Sequence, residues 1–261
     1  MACIASKDNV CVLAEPHGEN GPLMAKFVCD QMMHFLPEVD SPRDFENLFS
    51  IIDDLLCDHV CKIFTATKDK NGVPVSSSGR IISGGAVVTA IIRYPTRIVV
   101  VNVGNARAYI YGVDDTHKIH ITTKCTTDHV PESEKERQRL QPAPVNLNLP
   151  ITRAFGDFAE KQVGVTVTPN MDIILLSTLP SKKSCAFVAS DSVHECFTKE
   201  EMDTLVLSDK TDDELLAIFT QQRKRLFPDG DEDGIGFIRC PLEPFEEKVN
   251  PPPQDVEPEP R

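Results

Sequence analysis

Apolar residues in this chain recur with two different periods, and the alternation between them outlines the elements. Val10 to Ala14 form a short apolar run that ends in a turn. Leu23, Met24, Phe27, Val28, Met32 and Phe35 then return at helical spacing, so the start reads strand, loop, helix. A longer helical stripe follows through Phe45, Leu48, Phe49, Ile52, Leu55, Leu56, Val60 and Ile63. Ser41-Pro42 supplies its N-cap and its first-turn proline. Both helices are amphipathic, which predicts that they cover a sheet.

Residues Lys68 to Arg80 are polar and carry Asn71-Gly72 and three serines, the composition of an exposed loop. The period then changes. From Ala86 to Tyr94, Arg97 to Val103 and Arg107 to Val113, β-branched and aromatic residues dominate and turn residues separate the runs, as in an antiparallel meander. Ile119 to Thr123, Val163 to Val167, Ile173 to Leu176 and Ala186 to Ala189 continue the strand pattern. Ser133 to Leu140 and Asp212 to Phe227 read as helices, and Ile235 to Arg239 as a last strand. The sequence holds no internal repeat.

Beyond Pro241 the character changes again. Residues 241–261 hold six Asp or Glu and seven Pro with almost no apolar side chains, too little to bury against the entropy of ordering. The expected organisation is one domain over 1–240 and a disordered acidic tail over 241–261. The 261 residues suffice for one large core. A formal charge of −13, with no Lys or Arg run that tracks a face or helix, argues against nucleic acid and anionic membranes and leaves proteins or cations as partners. Nine cysteines, at 3, 11, 29, 57, 61, 125, 185, 196 and 240, form no C-x-x-C pair and are odd in number. Reduced thiols in an intracellular, cytoplasmic protein are the expectation. There is no leader-like start, and no apolar run approaches the ~18 residues of a membrane span.

The chemistry-bearing segments come in a fixed order: Glu15-Pro16-His17-Gly18, Ser83-Gly84-Gly85-Ala86, Gly104-Asn105-Ala106-Arg107-Ala108, Thr127-Asp128-His129, Thr152-Arg153-Ala154-Phe155-Gly156-Asp157, Ala189-Ser190-Asp191-Ser192 and Asp233-Gly234. Collinear over about Val10 to Cys240, they resemble the metal-dependent type 2C Ser/Thr protein phosphatases. Thr152 to Phe158, with Lys161 after it, is similar to the family's S-R-A-[FL]-G-D-F, and Ala186 to Asp191 to its strand ending in A-S-D-G. The resemblance implies an α+β, four-layer αββα sandwich: two antiparallel sheets face to face, flanked by helices, with metal bound at one end. It also implies two Mg²⁺ or Mn²⁺ ions and a bridging water that attacks the phosphoryl group.

Against that pattern this chain departs at several ligand positions. Where the family has D-G-H-G, this sequence has Glu15 and Pro16: the charge stays but reaches one methylene further, and proline fixes φ near about −65° where glycine is free. His17, a proposed general acid in active relatives, is kept. The family's upstream phosphate-gripping Arg and Glu-Asp pair have no counterpart, since no Arg precedes Arg43 and only Asp8 is available as an acid. Asp191 and Asp233 match two of the family's metal carboxylates, and Asp128, Asp191 and Glu195 match a further, weaker metal site. Only about ten residues separate Arg137-Gln138-Arg139-Leu140 from Ile151, so the family's flap over the substrate is trimmed.

Each of these residues has a plainer alternative. Glu15, Asp191 and Asp233 are either a residual metal site or leftover carboxylates at a sheet edge, solvated or paired with lysine. Asp128 and Glu195 carry the same pair of readings, and His17 is either an acid catalyst or a turn histidine bonded to a neighbour. Thr152 to Asp157 reads as structural, an Arg and an Asp tying loops together. Asp229 to Gly234 copies the opening of a calcium loop but has Cys240 where the bidentate Glu belongs, leaving at most weak Ca²⁺ or Mg²⁺ binding. The expected function is a catalytically inactive pseudophosphatase: a scaffold or regulator for a protein partner, such as a phosphoprotein or kinase complex, with Mg²⁺ or Mn²⁺ binding weakened or lost. The alternatives are a divergent, active Mn²⁺/Mg²⁺-dependent Ser/Thr phosphatase and a divalent-cation-responsive binding module.

Overall fold

Strict alternation along the strands gives each sheet two apolar faces, and the chain buries both. The structure, a computed structural model, describes residues 2–39, 41–113, 119–141, 150–179, 183–228 and 235–242. In chain order the elements begin with β1 (Cys3–Lys7), β2 (Val10–His17), α1 (Gly21–Phe35), α2 (Pro42–Ile63), β3 (Thr67–Lys68) and β4 (Pro74–Val75). The middle of the chain supplies β5 (Gly85–Arg93), β6 (Arg97–Val103), β7 (Arg107–Val113), β8 (Ile119–Lys124), α3 (Glu134–Leu140), β9 (Phe155–Gly156) and β10 (Asn170–Leu175). It ends with β11 (Lys183–Ala189), α4 (Asp191–His194), α5 (Lys199–Val206), α6 (Asp212–Leu226) and β12 (Phe237–Leu242).

The first sheet runs β1-β2-β5-β6-β10, with β9 also paired to β5, and the second β12-β11-β7-β8; the pairings in both are antiparallel. Period 2 then sorts the side chains. Val10, Val12 and Ala14 of β2, with Ala86, Val88, Ala90 and Ile92 of β5, pack outward against Met24, Val28 and Met32 of α1 and Phe45, Phe49, Ile52 and Leu56 of α2. Cys11, Leu13, Val87 and Ile91, on the opposite parity, face Ala108, Ile110, Ala186, Val188 and Ile238 of the second sheet. The outer face of that sheet, Tyr111, Cys185, Phe187, Ala189 and Phe237, packs on Met202, Val206, Leu215 and Phe219 of α5 and α6. Three apolar layers between four structural layers give the expected αββα sandwich.

Local chemistry explains most boundaries. Ser41 accepts from the Asp44 N–H and Pro42 opens α2. Thr198 with Glu201, and Thr211 with Glu214, form capping boxes at the starts of α5 and α6. Among the described residues no helix is long and apolar enough to cross a membrane.

The structure corrects several expectations. β6 does not continue the meander into β7: the chain leaves the first sheet at Gly104, whose φ of 103° suits glycine, and whose added Cβ would stand 2.2 Å from Val87 Cγ1. Leu55 and Ile63, placed on the α2 stripe, are exposed because they lie at its margins. Residues 68–80 hold the β3–β4 hairpin with Val73 buried beneath α2. Val163 to Val167 is not a strand: a 3₁₀ turn over Glu160–Val163 ends at Gly164 in a left-handed conformation. The hairpin strand β1 and helix α5 had no counterpart in the pattern. β12 carries on through Pro241 and Leu242, two residues into the segment assigned to the tail. It is an edge strand, where the missing proline N–H is tolerated, and Leu242 is buried. The rest of that segment lies outside the described residues.

Candidate functional site

The site forms where β2 outruns its neighbour. β1 pairs with β2 only from Val10 to Ala14, so Glu15, Pro16 and His17 are bonded to β5 alone. This overhang behaves as a sheet edge, which is why Pro16 costs the sheet little. Glu15 shares the parity of Cys11 and Leu13 and so points between the sheets, toward the end of β11, where Ser190 leads into α4 and Asp191. Glu15, Pro16, His17, Asn105, Ile151 and Asp191 are among the residues lining a cavity of ≈ 160 Å³.

Electrostatics in this cavity are unfavourable for two ionised carboxylates. Burial and then the charge of Asp191 raise the Glu15 carboxyl well above its ordinary range, favouring its protonated form. Its Oε2 is buried without a hydrogen-bond partner. Asp191 is better served, because Asn105 Nδ2 donates to its Oδ2 at 2.7 Å. Arg223 of α6 adds a weaker positive influence on Glu15, while its Nη1 donates to Glu195 at 3.1 Å and its Nε is buried unpaired. Pattern reading did not mark Asn105 or Arg223 as functional; Asn105 sits inside a quoted motif, whereas Arg223 has no signal beyond its place late in an amphipathic helix.

His17 meets Asp157 across β5. The Nε2 to Oδ2 distance is 2.6 Å, with Asp157 buried and His17 half-buried. Gly85 permits this contact, since an added Cβ would lie 2.8 Å from both of those atoms and 2.5 Å from the Phe155 carbonyl oxygen. Behind it, Asp53 of α2 accepts from the Gly156 N–H at 2.9 Å and pairs with Lys161. This polar tie between a helix and the site loop was not foreseen. Thr152 and Arg153 donate to Glu136 of α3, which is 1 % exposed, and Arg139 joins them. Burial opposes the Glu136 charge, yet these donors hold its carboxyl down at about 2. The Thr152–Asp157 segment therefore does tie loops together, but its last residue also holds His17.

The remaining expected ligands are placed differently. Asp128 is clamped by Arg107, at 2.8 Å, and by Lys124, at 2.7 Å, and these bonds lower its pKa against the opposing effect of burial. Glu195 pairs with Arg223. The set of Asp128, Asp191 and Glu195 does not assemble: among the described residues no three His, Cys, Asp or Glu side chains gather in a way that would hold a metal. Arginine and lysine occupy Asp128 and Glu195 instead. Asp233, and with it the Asp229 to Gly234 loop, lies outside the described residues.

A protein-family model described as Protein phosphatase 2C matches residues 3–225. This chain belongs to the protein phosphatase 2C family. A probable protein phosphatase 2C, number 61, of Arabidopsis thaliana is 23% identical over 271 residues, covering 94% of this chain and 78% of the plant protein. The mouse integrin-linked kinase-associated serine/threonine phosphatase 2C is 27% identical over 138 residues, covering 50% of this chain and 34% of that protein. The solved serine/threonine phosphatase PstP of Mycobacterium tuberculosis superposes with a TM-score of 0.62 at 14% identity, covering 93% of this chain and 92% of that one. A second PstP structure contains two manganese ions.

The family thus implies a pair of divalent ions, and the donor set tests the fit. Glu15 and Asp191 face each other with one orphaned oxygen, which suits a single shared cation or a shared proton. Two ions require more carboxylates than the described residues bring to this cavity.

Proposed function

We propose that this protein phosphatase 2C-family domain is a pseudophosphatase, a folded scaffold that binds a protein partner without hydrolysing phosphate. The observation that carries the reading is the Glu15–Asp191 pair, two acids facing one cavity with Glu15 raised by burial and by Asp191 and with Asn105 on Asp191, while the other described candidate acids, Asp128 and Glu195, are paired with basic side chains. Among the described residues the site lacks the dense negative charge that draws two hard cations out of water. It also lacks, among the described residues, an arginine free to clamp phosphate in this cavity; the lining contributes His17, and Asp157 already engages it. His17 held by Asp157 is then a strut joining β2 to the site loop.

A protein partner, such as a phosphoprotein or a kinase complex, is the class left once a charge of −13 disfavours nucleic acid and anionic membranes. The name of the mouse relative, a kinase-associated phosphatase, gives that partner class a precedent within the family. A second reading, a cation-responsive module, draws on the unpaired Glu15 Oε2, which one divalent ion would satisfy. Titration calorimetry with Mn²⁺ tests both. The scaffold reading predicts no binding in the micromolar range, and the module predicts one equivalent, lost in Asp191→Ala. Two equivalents at micromolar affinity would overturn both in favour of an active metallophosphatase.

A further inference from the structure

Between the two sheets, at the side where β12 closes over β2, two thiols approach each other. Cys11 of β2 and Cys240 of β12 place their sulfurs 2.6 Å apart, although 229 residues separate them in sequence. Both are free thiols. The approach follows from the fold: Cys11 has the parity that faces the second sheet, and β12 is the edge strand that closes over β2. Gly236, just before β12, shows the same closeness, since an added Cβ would lie 2.6 Å from Ala2 Cβ and 3.0 Å from Leu13 Cδ1.

We propose that Cys11 and Cys240 are a thiol modification site: a reversible disulfide, formed under peroxide, that staples the two sheets together. The sulfurs need to close by only about 0.5 Å to reach a disulfide bond length of ~2.05 Å. Chemistry favours Cys11 as the attacking sulfur. The hydrogen bond between the two sulfurs and the Ser6 hydroxyl, 3.2 Å away, lower the Cys11 thiol below the ordinary thiol range against the cost of burial. By contrast, burial pushes Cys57 up to about 11 and Cys125 up to about 12. A route for a small oxidant exists, because Ser6 is exposed on edge strand β1 and Cys240 is half-buried.

The reaction balances in two steps. The Cys11 thiolate attacks one oxygen of hydrogen peroxide, the O–O bond breaks, and after proton uptake Cys11 sulfenic acid and one water are formed. The Cys240 sulfur then attacks the Cys11 sulfur, forming the S–S bond and releasing the sulfenic oxygen with the Cys240 proton as a second water. Two thiols are oxidised and one peroxide is reduced.

The test uses the full chain, purified reduced and treated with one to a few equivalents of hydrogen peroxide. Remaining thiols are alkylated and the protein is digested and mass-mapped before and after dithiothreitol. The expected result is a Cys11–Cys240 crosslinked peptide, two hydrogens lighter, which appears before any other cysteine pair and disappears on reduction. Because the bridge closes a long loop, the oxidised protein should also melt on the order of 10 °C higher than the reduced one. That shift should be absent in Cys240→Ser, in which Cys11 accumulates as a sulfenic acid trapped by dimedone. If Cys240→Ser does not fold, Ser6→Ala serves instead: it keeps both sulfurs and should slow the crosslinking. Full alkylation of both cysteines after peroxide, or another pair crosslinking first, would overturn the proposal.

Discussion

Replacing Glu15 by glutamine should make this protein more stable at neutral and alkaline pH, an unusual outcome for a buried site residue. Glu15 is raised well above its ordinary 4.5 by burial and by Asp191, and its Oε2 has no partner. In the folded chain it keeps its proton where the unfolded chain would lose it. The native state then binds more protons above pH 4.5, so its stability falls as pH rises through that window. Glutamine has the same shape, never ionises, and offers an amide donor to the Asp191 carboxylate. Each unit by which folding raises a carboxyl costs about 1.4 kcal/mol of stability at a pH above both values, so a gain of at least about 1 kcal/mol at pH 8 is expected, or a Tm rise of at least roughly 2 °C for a domain of this size. The gain should vanish near pH 4, where the glutamate is protonated in both states. Urea unfolding of the two proteins between pH 4 and pH 8 measures it. A variant less stable than the parent at pH 8, or a difference constant with pH, would refute the shared-proton account.

Other perturbations follow from the same contacts. Asp53→Ala removes the acceptor of the Gly156 N–H and the carboxylate partner of Lys161, which keeps the Gly156 carbonyl, and should cost about 3 kcal/mol in urea unfolding. Gly85→Ala forces a methyl group into the His17–Asp157 contact and should cost about 2 kcal/mol, together with a change in the His17 imidazole NMR resonances. His129 is 1 % exposed, and burial and then Arg153 depress its pKa from 6.5 to about 3, so it stays neutral in the fold while the unfolded chain takes up a proton. Its stabilisation is complete above pH 6.5 and is lost as pH falls toward 3, by about 2 kcal/mol at pH 5; that part of the acid sensitivity should disappear in His129→Gln.

How far the sequence carried depends on whether a feature is local. The α2 start and the limits of β6 and β7 were legible because Ser41-Pro42 and runs of β-branched residues bounded by turns act over a few residues. The point where the chain passes from one sheet to the other was not, since Gly104 matters through its contact with Val87, a residue in another strand. Helix α5 carries the Thr198 to Glu201 capping signal but is only eight residues long, too short for a clear apolar stripe. At the site, the motif match located Glu15, His17 and Asp191, which line the same cavity. At Asp128 and Glu195 a motif records that an acid is present and not that Arg107, Lys124 or Arg223 folds onto it. The cysteine pair was equally hidden: Cys11 and Cys240 stand 229 positions apart, with no spacing motif to join them.

Phosphatase turnover bears most directly on the central claim. p-Nitrophenyl phosphate and a phosphopeptide are offered with excess Mn²⁺ or Mg²⁺ to the full chain and to an identically purified Asp191→Ala protein. The account predicts that the two proteins show the same residual rate. Hydrolysis that Asp191→Ala abolishes would contradict it and would make Glu15 a working metal ligand.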